Sequence, residues 1–186
     1  MEDFLRKMKL VDDLSITLKV NKSPFIAAFR GNVDESDLDG VFSGAFDAFS
    51  SSKNLYRGEV NSQNFRIRKK RTFFNNYASL PIAKGRFIQR EDNLVIETKI
   101  NAWSNYIIFF YVFVILLYMV MLSLFLGDNP RFGDEFEYFI PIVFIIIHAF
   151  FMLGIPYYAM RRGVVRMKQE LEREFYYIVS KLNYLK

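Results

Sequence analysis

Two stretches of this chain carry no charged side chain: residues 106–126 (YIIFFYVFVILLYMVMLSLFL) and 139–160 (FIPIVFIIIHAFFMLGIPYYAM). At ~1.5 Å of rise per residue, each helix is long enough to cross a bilayer core of roughly 30 Å. Residues 127–138 form a short loop between them, so the sequence predicts a transmembrane helical hairpin over 105–160. A polar segment, 1–104, precedes it and is long enough for one small domain with its own core. The tail, 161–186, is too short to fold alone. Met1–Leu10 mixes charges of both signs and lacks the apolar run of a secretory signal, so the first apolar helix is expected to direct insertion. Cys is absent and residue 2 is Glu, so no lipidation motif is present. A cysteine-free domain fits a reducing compartment.

Flanking charge predicts the orientation. Between the apolar segments lie Asp128, Asp134, Glu135 and Glu137 against Arg131, whereas the tail opens with Arg161 and Arg162 and adds Arg166 and Lys168. Short segments rich in Lys and Arg stay cytoplasmic. Both termini are therefore expected on the cytoplasmic side of an inner membrane, with the acidic loop outside. Trp103 and Tyr106 at one interface, and Tyr157 and Tyr158 at the other, make the aromatic belt such a hairpin needs.

The polar segment alternates between strand and helix signals. Leu14–Val20 places Leu14, Ile16, Leu18 and Val20 on one side and Ser15, Thr17 and Lys19 on the other, the pattern of a half-buried strand. Ser23 and Pro24 suit the cap and first position of a helix over about 24–31. Asp34–Gly40 reads as an acidic loop. Val41, Phe42, Ala45, Phe46 and Phe49 recur at helical spacing. An antiparallel meander follows: Leu55–Val60, Phe65–Arg71, an aromatic connection with Phe73, Phe74 and Tyr77, then Pro81–Arg90 and Leu94–Asn101 joined by a tight turn at Glu91–Asp92–Asn93. In the tail, Val164, Leu171, Phe175, Ile178 and Leu182 share one stripe of an amphipathic helix. That stripe needs a partner, either the domain's own sheet or another copy, and Leu171, Phe175, Ile178 and Leu182 are its candidate self-association residues.

The fold class expected is thus an α+β membrane protein: a small antiparallel-sheet domain with short helices, a two-helix transmembrane hairpin and a C-terminal amphipathic helix. The element order resembles helix-grip folds and, more distantly, PH-like barrels, in which a sheet curls against a long C-terminal helix. Tyr56-x-Gly58-x-Val60, Phe65-x-Ile67-Arg68 and Ala83–Lys84–Gly85 resemble a motif of small bacterial proteins that join a β-rich domain to two transmembrane helices. The likeness covers residues 55–100 and the hairpin. That family has no assigned activity, so the resemblance implies the architecture and a bacterial setting, and no functional residue.

The charge pattern supplies the partner signal. From 54 to 90 every charged residue except Glu59 is basic, while 31–50 carries only acids. On alternation, Arg66, Arg68 and Lys70 face out from one strand, and Lys84 and Arg86 (with Arg90) from another. Together they are expected to meet anionic headgroups or an acidic partner. Nucleic acid is not expected, because the basic strand offers few exposed aromatics for stacking. His148 lies in the middle of the second apolar segment, where a polar group is costly. It is expected to hydrogen-bond Ser123 or a backbone carbonyl, or to act in gating, with Pro156 as a hinge. No metal-ligand spacing, phosphate loop or nucleophile motif is present, so no cofactor, metal or catalytic residue is assigned. The function expected is a non-enzymatic membrane protein whose cytoplasmic domain binds or senses, coupled to the hairpin and to self-association. The alternatives are a membrane-perturbing effector that oligomerises through the hairpin, and an enzyme of unassigned class.

Overall fold

The computed structural model describes residues 2–38, 52–70, 80–127 and 135–184. The expected helix at 41–49, the aromatic connection with Phe73, Phe74 and Tyr77, and Asp128, Arg131 and Asp134 of the acidic loop lie outside the described residues. The chain divides into two compact units, Met1–Trp103 with Met160–Lys186, and Ser104–Ala159.

The first unit is α+β. Its elements are α1 (Glu2–Lys7), β1 (Val11–Leu18), α2 (Lys22–Gly31), β2 (Val33–Glu35), β3 (Tyr56–Val60), β4 (Asn64–Lys69), β5 (Ile82–Arg90) and β6 (Asn93–Asn101). The strands form one sheet in the order β1-β6-β5-β4-β3-β2. The sheet is mixed: β2 pairs with β3 in parallel, and all other pairs are antiparallel. The expected acidic loop at Asp34 is thus partly a strand, because Val33 is buried beside Tyr56 while Asp34 aligns with Arg57. Two boundaries also differ. β1 begins at Val11 rather than Leu14, and α2 is capped at Asn21 rather than Ser23, so Pro24 sits inside the first turn where its missing N–H costs nothing.

The last part of the chain completes this unit. Helix α4 spans Glu135–Tyr184, and its residues from Met160 onward belong with the sheet. The expected stripe gains two members. Met160, Val164, Met167, Leu171, Phe175 and Ile178 are all nearly inaccessible to solvent. Their steps of four, three, four, four and three follow the 3.6-residue period of a helix face. Phe175 packs edge-on against Phe25 and Phe29 of α2 and Phe65 of β4, at 5.8, 5.3 and 6.1 Å between ring centres. Polar ties flank the stripe. Lys69 Nζ donates to Glu170 Oε1 at 2.6 Å, Lys168 Nζ to Asp12 Oδ2 at 2.9 Å, and Asn32 Nδ2 to Glu174 Oε1 at 2.7 Å. Burial pushes the Tyr56 hydroxyl pKa up, and the Glu170 and Glu174 carboxylates add to the shift. The expectation that this stripe mediates self-association is corrected: Leu171, Phe175 and Ile178 are covered by the chain's own sheet, and only Leu182, near the helix end, stays half-exposed.

The second unit contains α3 (Asn105–Gly127) and the first part of α4. Two helices, opening at Asn105 and Ile140, are long and apolar enough to cross a membrane. Their side chains are mostly exposed; Phe109 and Phe150 are 72% and 74% accessible. The helices touch through Val114 and Ile145, which are buried, and through two hydrogen bonds. The Tyr111 hydroxyl donates to the Leu153 carbonyl at 3.0 Å, and the Tyr118 hydroxyl meets His148 Nδ1 at 2.5 Å. Pro141 and Pro156 both lie inside α4. Pro156 has no N–H to give the preceding turn, and Tyr111 supplies a donor to a carbonyl of that turn.

Candidate functional site

Charged side chains gather on the sheet face turned away from α4. The two-residue turn Glu91–Asp92 joins β5 to β6, with Glu91 in the left-handed region (φ 50°) that such hairpins demand. The turn fixes the register. Arg90 faces Asn93, and further along Lys84 faces Lys99. On its other side Lys84 faces Arg66, which in turn faces Glu59. Asp13 of β1 faces Lys99. One row therefore crosses the sheet as Asp13, Lys99, Lys84, Arg66, Glu59. Three cations stand side by side with an acid at each end, and like charges directly opposite one another destabilise a sheet.

The Asp13–Lys99 end of the row is neutralised and its middle, Lys84, is not. Lys99 Nζ reaches Glu2 Oε1 of α1 at 2.7 Å, while Arg6 bonds Glu2 at 2.9 Å and also pairs with Asp13. The Lys99 and Arg6 hydrogen bonds hold the Glu2 carboxyl below its ordinary pKa. One row along, Arg86 Nε donates to Glu97 Oε2 at 2.7 Å across the same hairpin. Lys84 is exposed and makes no ion pair among the described residues. It borders an open depression of about 460 Å³ lined also by Asp13, Arg86, Glu97 and Lys99. A smaller recess of about 260 Å³ lies by β2 and β3, where Arg30 Nε donates to the Val60 carbonyl at 3.0 Å. Among the described residues, no three His, Cys, Asp or Glu side chains gather as a metal site would require.

Of the residues singled out from sequence, Arg66, Lys84 and Arg86 come together on this face. Arg68 and Lys70 do not join them, which corrects the exposure expected from alternation. Arg68 is only 8% accessible and aligns with Arg57 and Ile82. Over that corner the chain after β2 folds back: Arg57 donates to Ser36 Oγ at 2.9 Å and to the Asp37 carbonyl at 3.2 Å. Lys70 pairs with Asp34. Burial disfavours the Asp34 anion, but hydrogen bonds from Lys70, Ser52 and Asn54 outweigh it and hold the carboxyl below its ordinary pKa. Part of the acidic 31–50 region thus neutralises part of the basic one. Lys99 was missed, because the turn expected at Glu91–Asp92–Asn93 is one residue shorter, which shifts the register by one and sets Lys99 opposite Lys84.

In the hairpin, His148 is partnered by Tyr118 and not by Ser123, whose hydroxyl donates to the Val120 carbonyl of its own helix at 2.8 Å. Phe144 stacks on the His148 ring at 6.0 Å. Pro156 lies three residues beyond Leu153, whose carbonyl accepts from the Tyr111 hydroxyl.

No protein-family model, curated protein or solved structure matches this chain.

Proposed function

We propose that this chain is an integral membrane protein with two spans and both termini on the cytoplasmic side, whose α+β unit is a non-catalytic binding module for anionic lipid headgroups. The observation that carries the reading is the Lys99–Lys84–Arg66 row, whose central lysine is exposed and unneutralised on a face that continues by chain into an uncharged helix. An anion lodged over the row would relieve its internal repulsion. Tyr106, where the uncharged stretch begins, is seven residues from Lys99, so the two lie at most about 25 Å apart. Headgroups are then the anions nearest to hand. Each cation beside an anionic leaflet contributes roughly 1 kcal/mol, and salt screens it over about 8–10 Å. The apolar side chains exposed along both helices support the membrane assignment, because water would solvate them poorly.

Amine acetylation read by mass spectrometry tests this on the full chain in lipid nanodiscs. Lys84 should be labelled several-fold more slowly in phosphatidylglycerol than in phosphatidylcholine discs, and salt should remove the difference. Exposed Lys53, in the segment before β3 and not a member of the row, is the internal control. Equal labelling of Lys84 in the two lipids would overturn the headgroup reading.

A further inference from the structure

We infer that the hairpin binds a second copy of this chain in the bilayer, through Tyr118 and His148. The inference rests on the membrane reading above. His148 lies near the middle of the charge-free 139–160 segment and Tyr118 near the middle of 106–126. Within one hairpin they meet through Tyr118 Oη and His148 Nδ1. That bond leaves the other imidazole nitrogen, Nε2, without a hydrogen-bond partner among the described residues, and the ring is exposed on the hairpin surface.

Lipid tails offer no donor or acceptor at this depth, so a polar atom left there finds its partner in protein. The pair is self-complementary. If the Tyr118 hydroxyl donates to Nδ1, the neutral ring carries its proton on Nε2 and can donate, while the Tyr118 oxygen keeps a free lone pair and can accept. Two copies inserted in the same direction hold these groups at the same depth, because in each copy they are already level with one another. An isologous pair then joins His148 of each copy to the tyrosine of the other. The surface around the ring is apolar and open: Phe144 is 67% and Ile147 51% accessible. A second copy fits this site better than a different partner, since its donor and acceptor set is fixed by this chain alone. The tail stripe, already covered by its own sheet, cannot supply that contact.

The chain has no cysteine, so an introduced thiol reports without background. Purified full chain carrying Phe144→Cys is reconstituted in phosphatidylcholine vesicles, oxidised, and resolved by mass. Position 144 lies one helical turn from His148 on the same face, and position 150 on the far side of the helix. A disulfide-linked dimer is expected with Phe144→Cys and not with Phe150→Cys. Adding Tyr118→Phe, which keeps the ring and removes the hydroxyl, should cut the dimer yield several-fold, as should His148→Phe. Absence of the dimer, equal yields at positions 144 and 150, or yields unmoved by both second substitutions would each overturn the inference. Flotation of the same vesicles separates the two failures. Protein that floats without dimerising defeats this inference alone, and protein that does not float defeats the membrane reading with it.

Discussion

The Phe65 ring lies across Gly85, its partner in the β4–β5 ladder, so closely that a Cβ at Gly85 would meet the ring at 2.3 Å. The ring has nowhere to retreat. It packs on Phe29, Phe87 and Phe175 with centres 5.4, 5.2 and 6.1 Å away. Gly85→Ala should therefore destabilise the sheet unit by about 1–3 kcal/mol, the usual cost of overpacking a filled core. Thermal unfolding of the full chain in detergent measures it. Gly58 is constrained in the same way, by a φ of 140° and by the Arg66 carbonyl.

A protein made of residues 1–104 alone should fail to fold, because it lacks the helix that supplies Met160 through Ile178 to the core. Residues 1–103 joined by a flexible linker to 160–186 should fold as a soluble monomer. Within that fusion Phe175→Ala should cost about 3–5 kcal/mol. Circular dichroism and denaturant titration check all three outcomes.

Thr98 carries a buried hydroxyl with no hydrogen-bond partner among the described residues. Thr98→Val replaces it with a methyl of the same shape, removing a desolvated polar group. Stability should stay level or rise. A loss above about 1 kcal/mol, the size of a typical net hydrogen bond, would reveal a partner for the hydroxyl.

Asp34 gives the sheet unit an acid-sensitive tie to Lys70. Its folded pKa lies below the unfolded value, so its contribution is fully present above about pH 4 and is lost as pH falls through the folded value. Asp34→Asn should lower stability at neutral pH and flatten the decline on the acid side. Unfolding midpoints across that range give the comparison.

Reporter fusions test the orientation. A reporter joined after Lys186 should be active only in its cytoplasmic form, and one placed between the apolar segments only in its exported form. The reverse pattern would show that Arg161 and Arg162 do not hold the tail inside.

Local patterning was legible wherever one face of an element is buried. Alternation found β1, β4 and β6, because in each strand Leu, Ile or Phe side chains enter the core at every second position. Uncharged length found both apolar helices, and helical spacing found the tail stripe. The same patterns could not name partners. β2 is three residues long, and its parallel pairing with β3 joins segments some twenty residues apart, so no local period marks it. Arg68 alternates like Arg66 yet is buried, since the chain after β2 covers one corner of the outer face and leaves the other open.

The sequence by itself determined the charge-free helices, the period of the main strands and the amphipathic stripe of the tail, because each is written in side chains a few residues apart. Only the tertiary structure decided that Phe175 closes on Phe25, Phe29 and Phe65, that Lys84 stands between two other cations, and that His148 meets Tyr118. Those meetings depend on which distant segments the packed core and the strand registers bring into contact, and periodicity tells a side chain which way to face but not what it will find there.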